Sequence, residues 1–281
     1  MKIRDLLSGG AVTLTPSEEK IAQVLLTDYP TSGLGTAASL AKKAGVSDPT
    51  VNRLVVKLGF DGYPAFQSRL LEEIEDRLRS PLSMMESRPT GGDSPARAYL
   101  QSARKALEES ETSTPQASYD RAARLIMEAR QVLLVGGRFS TFLGGILAGH
   151  LEQFRAGVTA LPALSAPDYD RLVDLTRRDL VVTFDYRRYQ SDVIAFTEQA
   201  AATGARVVLF TDRWRSPAAT SADVVLVSPV EVQSPYDTMV PALGQIEALV
   251  AQLLAEYGPE VRRRIERIEA VRSANNVTRN G

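Results

Sequence analysis

The sequence predicts two domains, an all-α N-terminal domain and a doubly wound α/β domain with a parallel sheet. Over the first 80 residues, apolar side chains recur at helical spacing. From Ser118 onward, short apolar runs recur about every 20 to 25 residues, and helical patterns separate most of them. Apolar runs that alternate with helices in this way are typical of a parallel sheet covered on both faces.

Composition narrows the class of protein. The chain has 281 residues, a net charge of −1 and no cysteine. Such a length accommodates about two domains, and the near-neutral charge means that any nucleic-acid binding must come from a local patch. The lack of cysteine excludes disulfides and thiolate metal sites. Because the start lacks a secretory signal and no apolar run could span a bilayer, we expect a soluble, cytoplasmic protein without a membrane partner.

Four helices are predicted in the N-terminal domain. The segment "LTPSEEKIAQVLLTDYP" has Thr15 as its N-cap, Pro16 at the first helical position and Glu18 three residues after the cap, and Pro30 closes it. The other three helices are predicted in "TAASLAKKAGV", "SDPTVNRLVVKLGF" and "YPAFQSRLLEEIEDRL".

Breaks in the pattern predict where the domains end. Residues 80–95, "SPLSMMESRPTGGDSP", are rich in Ser, Pro and Gly and predict a linker. A connecting helix from Ala96 to Glu111 follows, and "TSTPQAS" is a second break. The predicted organisation is a helical domain over 1–80, a linker and connecting helix over 81–117, an α/β domain over 118–258, and a charged C-terminal helix that frays into a disordered end over 259–281.

Five strands are predicted in the α/β domain. They are the apolar runs at 132–135, 158–161, 180–184, 207–210 and 224–227. Patterns such as "STFLGGILAGHLEQFRA" and "SDVIAFTEQAAATGA" predict the helices between strands, and "TMVPALGQIEALVAQLLAEYG" predicts the final helix.

The second and third helices have the anatomy of a helix-turn-helix. Gly45 supplies the positive φ that the tight turn needs, and Val46 is the apolar residue of that turn. Ser47 is predicted to cap the next helix, with Asp48 and Pro49 in its first turn.

The third helix separates an apolar side from a polar side. Its apolar residues follow the spacing i, i+3, i+4, i+7 and are expected to face the core: Val51, Leu54, Val55 and Leu58. Asn and Arg side chains read adenine and guanine edges, and Lys binds phosphates. The candidate DNA-binding residues are Lys42, Lys43, Ser47, Pro49, Thr50, Asn52, Arg53 and Lys57.

The alternative for this motif is an ordinary helical hairpin with a solvated outer face. Positions 41 to 70 contain five basic residues and two acidic ones, which gives a local charge of +3. The glycine turn, the serine cap and this local basicity together favour DNA binding.

On these residues the chain resembles the RpiR-type transcriptional regulators, which join a helix-turn-helix to a sugar-isomerase (SIS) domain. The resemblance rests on "LTPSEEKIAQVLL", on the string S-x-x-T-V-x-R-x-x-x-K-L-G-F-x-G-Y and on "VLLVGGRFS". It implies a homodimer or homotetramer, a double-stranded DNA operator, and a small anionic effector, often a phosphosugar, in the SIS domain. No cofactor and no metal are implied.

The α/β domain departs from the family pattern in its two ligand loops. The G-x-G-x-S loop after the first strand is "GGRFS", with Gly136 and Ser140 kept, Gly137 between them and Arg138 at the second glycine. The phosphate loop S-x-S-G-x-T falls on "DYRRYQ". There the family's serines, glycine and threonine are replaced in order by Asp185, Arg187, Arg188 and Gln190.

Arginines at the predicted strand ends suggest another way to hold an anion. In open α/β sheets, ligands bind beyond the carboxyl ends of the strands, and a guanidinium binds phosphate or carboxylate bidentately. The hypothesis is that Arg138, Arg187 and Arg188 replace the serine cradle and select a sugar phosphate or sugar acid. Ser234, after the last strand, could complete the pocket or act as a local cap.

Two alternatives remain open at this point. The arginines, with Arg213 and Arg215, could instead pair with Asp185, Asp212 or a partner subunit and only tie loops together. The chain could also be a sugar-phosphate isomerase, which needs a base near the substrate. The candidate bases are His150, Glu152 and Glu231, none in a recognisable catalytic setting, so regulation is favoured over catalysis.

The predicted mechanism is ligand-dependent DNA binding by an oligomer. Two helix-turn-helix domains would place their recognition helices in successive major grooves roughly 34 Å apart. An effector that binds one subunit arrangement more tightly would change the match to the operator half-sites. The connecting helix from Ala96 to Glu111 is the predicted route of coupling.

Overall fold

The computed structural model of the chain describes residues 3–8, 12–27, 29–78, 81–87 and 94–277. The chain divides into two compact units, Met1–Arg79 and Ser80–Gly281. Among the described helices, none has the length and apolarity needed to cross a bilayer.

The N-terminal unit is all-α, as predicted. Its helices are α1 (Ile3–Ser8), α2 (Pro16–Thr27), α3 (Ala37–Ala44), α4 (Asp48–Lys57) and α5 (Gly62–Leu78), with a 3₁₀ turn at Thr31–Gly33. Thr15 and Glu18 form the predicted reciprocal cap of α2, in which each backbone N–H donates to the other side chain, at 2.8 and 3.4 Å. The core forms where these helices meet, around Ile21, Leu40, Leu54 and Phe66.

The linker prediction for 80–95 is wrong in part. The second unit begins with a short helix, α6 (Pro81–Ser87), followed by α7 (Pro95–Ser113), which contains the predicted connecting helix. Met84 of α6 is buried, so tertiary contact stabilises a helix that is too short to persist alone. The second break shortens to Thr114 and Pro115, because α8 (Gln116–Glu128) starts directly after it.

The remaining elements form the predicted doubly wound α/β fold. In chain order they are β1 (Val132–Gly136), α9 (Ser140–Phe154), β2 (Val158–Leu161), α10 (Ala166–Asp170), β3 (Leu180–Phe184), α11 (Ser191–Ala202), β4 (Arg206–Thr211), β5 (Val224–Val227) and α12 (Val240–Ala274), with 3₁₀ turns at Arg171–Asp174 and Pro217–Ser221. All five strands are parallel, in the order β2-β1-β3-β4-β5. All five predicted strands are confirmed to within a residue or two at their ends.

Both faces of the sheet are covered. On one face, alternate strand residues such as Leu134 and Val182 pack with α8, α9 and α12. On the other, Leu133 and Val181 pack with α11 through Phe196. This double burial explains why the strands are continuous apolar runs rather than alternating ones.

The predicted charged C-terminal helix is the continuation of α12. A non-helical residue, Tyr257, marks a kink two residues before Pro259, and the helix then runs to Ala274. The predicted disordered end, beyond residue 277, lies outside the described residues.

Candidate DNA-binding surface and effector site

The turn between α3 and α4 has the predicted geometry. Gly45 adopts φ 64° and ψ 40°, the left-handed conformation that glycine accepts most readily. The backbone N–H of Val46 donates to the Ala41 carbonyl at 3.0 Å and closes the end of α3. These bonds fix the direction in which α4 leaves the turn.

Helix α4 buries one side and exposes the other. Val51, Leu54 and Val55 are buried in the core of the unit, and Leu58 follows them just past the end of the helix. Pro49, Asn52 and Arg53 are exposed, as the sequence predicts. The surface that a DNA groove would meet is therefore not covered by the atoms of its own unit.

Short polar contacts order the start of α4. Ser47 occupies the N-cap position, but the predicted side-chain cap is wrong, because its hydroxyl makes no bond to the helix backbone. That hydroxyl instead lies 2.9 Å from the Thr50 hydroxyl, and Arg53 Nη2 donates to the Thr50 Oγ1 at 3.2 Å. Asn52 Nδ2 donates to the Asp48 carbonyl at 3.3 Å. All three contacts are exposed to solvent.

The basic residues differ in how free they are. Lys57 Nζ lies 2.7 Å from Glu18 Oε2, and this hydrogen bond from Lys57 holds the pKa of the Glu18 carboxyl below its usual value. Part of the Lys57 charge is thus neutralised within the unit. Lys42, Lys43 and Arg53 are exposed and form no ion pair with the residues that the structure describes.

The loop after β1 is held close to α9. A Cβ at Gly136 would lie 2.8 Å from the Ser140 carbonyl oxygen, so only glycine permits this approach. The buried Ser140 Oγ lies 2.7 and 2.8 Å from the carbonyl oxygens of Gly137 and Phe184, either of which can accept its one hydrogen, and it accepts from the Gly137 N–H at 3.1 Å. Ser140 therefore ties the ends of β1 and β3 together.

Asp185 is buried and bonded to the protein itself. Its carboxylate accepts from the Ser216 hydroxyl and from the Gln190 backbone N–H. Burial is the main cause that raises the pKa of Asp185 to about 7, against the lowering effect of the Ser216 bond. This side chain joins the loops after β3 and β4.

Arg187 forms a buried structural network. Its guanidinium pairs with Asp237, donates to Met84 Sδ at 2.9 Å and lies 5.2 Å from the centre of the Trp214 ring. Its backbone N–H donates to Asp212. With a side chain 2% exposed, Arg187 has the loop-tying role that the sequence left open as an alternative.

Arg138 and Arg188 are placed quite differently. Both are exposed, and neither forms an ion pair with a described residue. Arg138 Nη2 donates to the Arg188 carbonyl at 3.1 Å, which brings the two loops together. They follow β1 and β3, the neighbouring strands at which the sheet order reverses, and ligands bind at this point in doubly wound folds.

Each of the two units matches a family model in sequence. A family model for the helix-turn-helix domain of the rpiR family matches residues 1–77, and a SIS-domain model matches residues 125–254. The chain belongs to the RpiR-type family.

Similar proteins agree with this organisation. The HTH-type transcriptional regulator HexR of Pseudomonas aeruginosa is 22% identical over 91% of this chain and 90% of its own. The sugar isomerase domain of an RpiR transcription factor from Sphaerobacter thermophilus has a TM-score of 0.59 at 22% identity, covering 63% of this chain and 98% of that one. NanR of Vibrio vulnificus, solved with ManNAc-6P, has a TM-score of 0.57 at 20% identity, covering 96% of this chain and 97% of its own. The two structures establish the fold.

Two arginines of this RpiR-type chain have the left-handed backbone conformation that glycine accepts most readily. Arg138 has φ 45° and Arg188 has φ 65°, and both stand where the family pattern has glycine. A side chain in this region costs roughly 1–2 kcal/mol. At these two positions a long cationic side chain is therefore combined with a backbone conformation that suits glycine.

The side chains of the last two predicted ligand residues, Gln190 and Ser234, contact other parts of the protein. The Gln190 side chain fills the volume that the missing side chain of Gly137 leaves, and its Oε1 is buried without a partner among the described residues. Ser234 accepts from the Tyr236 N–H at 3.1 Å, which is the local turn role. Residues that sequence reasoning missed are Met84, Trp214, Ser216 and Asp237, since no local motif marks them.

The candidate bases of the isomerase alternative lie elsewhere. His150 is in the last part of α9 with its ring 6.4 Å from that of Phe154. It follows Ser140 by ten positions, which along a helix is about 15 Å. Glu152 lies further along the same helix, and Glu231 Oε2 accepts from the Val230 N–H at 3.3 Å.

Proposed function

We propose that this RpiR-type protein is a cytoplasmic transcription regulator that binds an operator through α4 and senses a small anionic metabolite through its α/β domain. The observation that carries the proposal is that α4 buries one side and exposes the other. Asn52 and Arg53 are exposed on a helix whose opposite side is fully buried. Such side chains read adenine and guanine in the major groove.

The DNA-binding role is tested with duplexes selected by the protein from a random library. Fluorescence anisotropy should give a strong salt dependence of binding. Arg53→Ala should weaken specific binding by about 1–3 kcal/mol, whereas Arg104→Ala, which alters an exposed arginine of α7, should leave it unchanged. Equal affinity of wild type and Arg53→Ala for the selected duplex would refute the assignment of α4.

For the effector, we propose that Arg138 and Arg188 hold the anion in place of the family's serine and glycine cradle. Two exposed guanidinium groups at the reversal point of the sheet supply charge and paired donors. Arg187 is left out of this set because Asp237 already neutralises it. A sugar phosphate and a sugar acid both satisfy such a pair.

Thermal shift assays can test this site with defined probes. Inorganic phosphate, gluconate and glucose 6-phosphate are compared with glucose, which is uncharged. The variants Arg138→Gln and Arg188→Gln should lose the shift given by the best anion, and Arg177→Gln, an exposed arginine before β3, should retain it. A shift that persists in both variants would place the anion elsewhere.

Coupling between effector and DNA is proposed to involve α6 as well as the predicted connecting helix. The β3 loop touches α6 through Arg187 and Met84, and α6 directly follows the N-terminal unit in sequence. Tyr99 of α7 bonds to Thr238, at 2.9 Å, next to Asp237. A loop that moves on anion binding therefore acts on both helices.

A homodimer is proposed from the outer side of α9. Phe142 and Ile146 are 67% and 40% exposed, and Phe139 just before the helix is 68% exposed. A Cβ added at Gly145 or Gly149 would meet nothing, so a second helix can approach closely. Light scattering should show Phe142→Glu as a smaller species than wild type; an unchanged mass would exclude this face.

We infer that the chain is not an isomerase. Two of the three candidate bases, His150 and Glu152, lie far along α9 from the loop that holds Arg138, and the third, Glu231, accepts from the adjacent backbone N–H of Val230. An isomerase would interconvert an aldose phosphate and its ketose, which NMR would detect in the same samples. Such turnover would overturn the inference.

A further inference from the structure

One apolar side chain of α4 does not join the core. Val56 is 61% exposed, whereas the adjacent Val55 is 2% exposed and Val51 and Leu54 are fully buried. Val56 does not belong to the series Val51, Leu54, Val55 and Leu58, so it lies outside the buried side of the helix. Val56 is not among the candidate DNA-binding residues named from the sequence.

Val56 completes the outward stripe of the helix. Pro49, Asn52, Arg53 and Val56 are spaced i, i+3, i+4, i+7, which places them on one side of an α-helix. Asn52 is one turn before Val56, and all four residues are exposed. A helix that presents Asn52 and Arg53 to base edges presents Val56 to the same groove.

We infer that Val56 contacts the 5-methyl group of a thymine in the major groove and adds a preference for thymine to the operator. This inference rests on the proposed DNA-binding function. The thymine methyl is the apolar group that base pairs present in the major groove, and apolar side chains recognise it. Asn52 suits adenine, whose paired base carries that methyl group.

The size of the effect follows from the area buried. Covering one methyl-sized group is worth about 0.8 kcal/mol, which corresponds to about a fourfold change in affinity. Deoxyuridine differs from thymidine only by this methyl group. Replacing the contacted thymine of each half-site by deoxyuridine should therefore weaken wild-type binding about fourfold per half-site.

The experiment uses the full-length protein and the duplex that it selects from a random library. Each thymine is replaced singly by deoxyuridine, and affinity is measured by anisotropy for wild type, Val56→Ala and Leu71→Ala. Leu71 is 50% exposed on α5 and serves as the matched control. One position in each half-site should show the fourfold loss in wild type and Leu71→Ala, and the loss should shrink to less than about twofold in Val56→Ala.

The outcomes separate this inference from the proposed function. Selection that enriches no duplex would overturn both. A specific duplex that tolerates deoxyuridine at every thymine, or a loss that is equal in Val56→Ala and wild type, would overturn the role of Val56 and leave the function standing. Urea unfolding of Val56→Ala, which should match wild type, confirms that its fold is retained.

Discussion

Replacing Asp237 by asparagine should destabilise the second unit more than replacing Arg187 by methionine. The two side chains form an ion pair in which Arg187 is 2% exposed and Asp237 is 21% exposed. Without the carboxylate, the guanidinium keeps its charge and its burial but loses the ion pair, and its contacts with the Met84 sulfur and the Trp214 ring supply no opposing charge. Without the guanidinium, Asp237 can still reach water.

The magnitudes follow from this asymmetry. Removing one partner of a buried pair costs about 3–5 kcal/mol, and because the asparagine of the Asp237 variant retains one acceptor, we expect a loss of about 3 kcal/mol. Methionine at Arg187 fills much of the volume and leaves a hydratable carboxylate, so the expected loss is about 1–2 kcal/mol. For a unit of this size, about 3 kcal/mol lowers the melting temperature by roughly 6–12 °C.

The assay is urea unfolding followed by circular dichroism and by tryptophan fluorescence. Trp214 is the single tryptophan of the chain and lies against Arg187, so its emission reports on this network directly. The double variant should lose less than the sum of the two single losses. If Asp237→Asn costs under 1 kcal/mol, or no more than the Arg187 variant, the structural role of the pair is refuted and Arg187 returns to the candidate anion ligands.

Further predictions concern charge and backbone conformation. Because burial raises the pKa of Asp185 to about 7, the folded state keeps a proton on this carboxyl between about pH 4 and 7, whereas the unfolded state releases it. The free energy of unfolding should therefore fall by up to about 4 kcal/mol as the pH rises through this range. Urea midpoints measured at pH 5 and 8 should show this fall in wild type and not in Asp185→Asn. Glu18→Gln should free Lys57 and steepen the salt dependence of DNA binding, by a slope of about 0.9, more than Glu19→Gln, an exposed neighbour. Gly45→Ala should lower the stability of the N-terminal unit by about 1–2 kcal/mol in thermal unfolding, because φ is 64°.

The fold was largely predictable because its signals are local. Each strand is an apolar run covered on both faces, so its position is visible without knowledge of its neighbours. Helix α6 was not predictable, because its stability depends on the contact of Met84 with Arg187, which is 103 positions away. The surrounding serine, proline and glycine residues indicate a linker, because composition reflects only the local sequence and not a contact with a distant residue.

The candidate site divides in the same way. The exposed side of α4 follows from helical spacing, so its residues could be named from the sequence. The arginines could not be sorted, because pairing depends on a carboxylate elsewhere: Asp237 lies 50 positions from Arg187, and no motif joins them. Arg138 and Arg188 are also arginines in loops that follow strands of the sheet. Unlike Arg187, they are exposed and form no ion pair with a described residue.

Backbone conformation adds an argument for the proposed anion site. Arg138 and Arg188 hold left-handed conformations at the ends of β1 and β3, where glycine would be free of strain. Neither gains a described ion pair in return. Strain that is not offset by an ion pair tends to persist where function requires the side chain, and a long cationic side chain at a ligand-binding edge is suited to an anion. Arg187, by contrast, forms an ion pair with Asp237, and we therefore assign it a structural role.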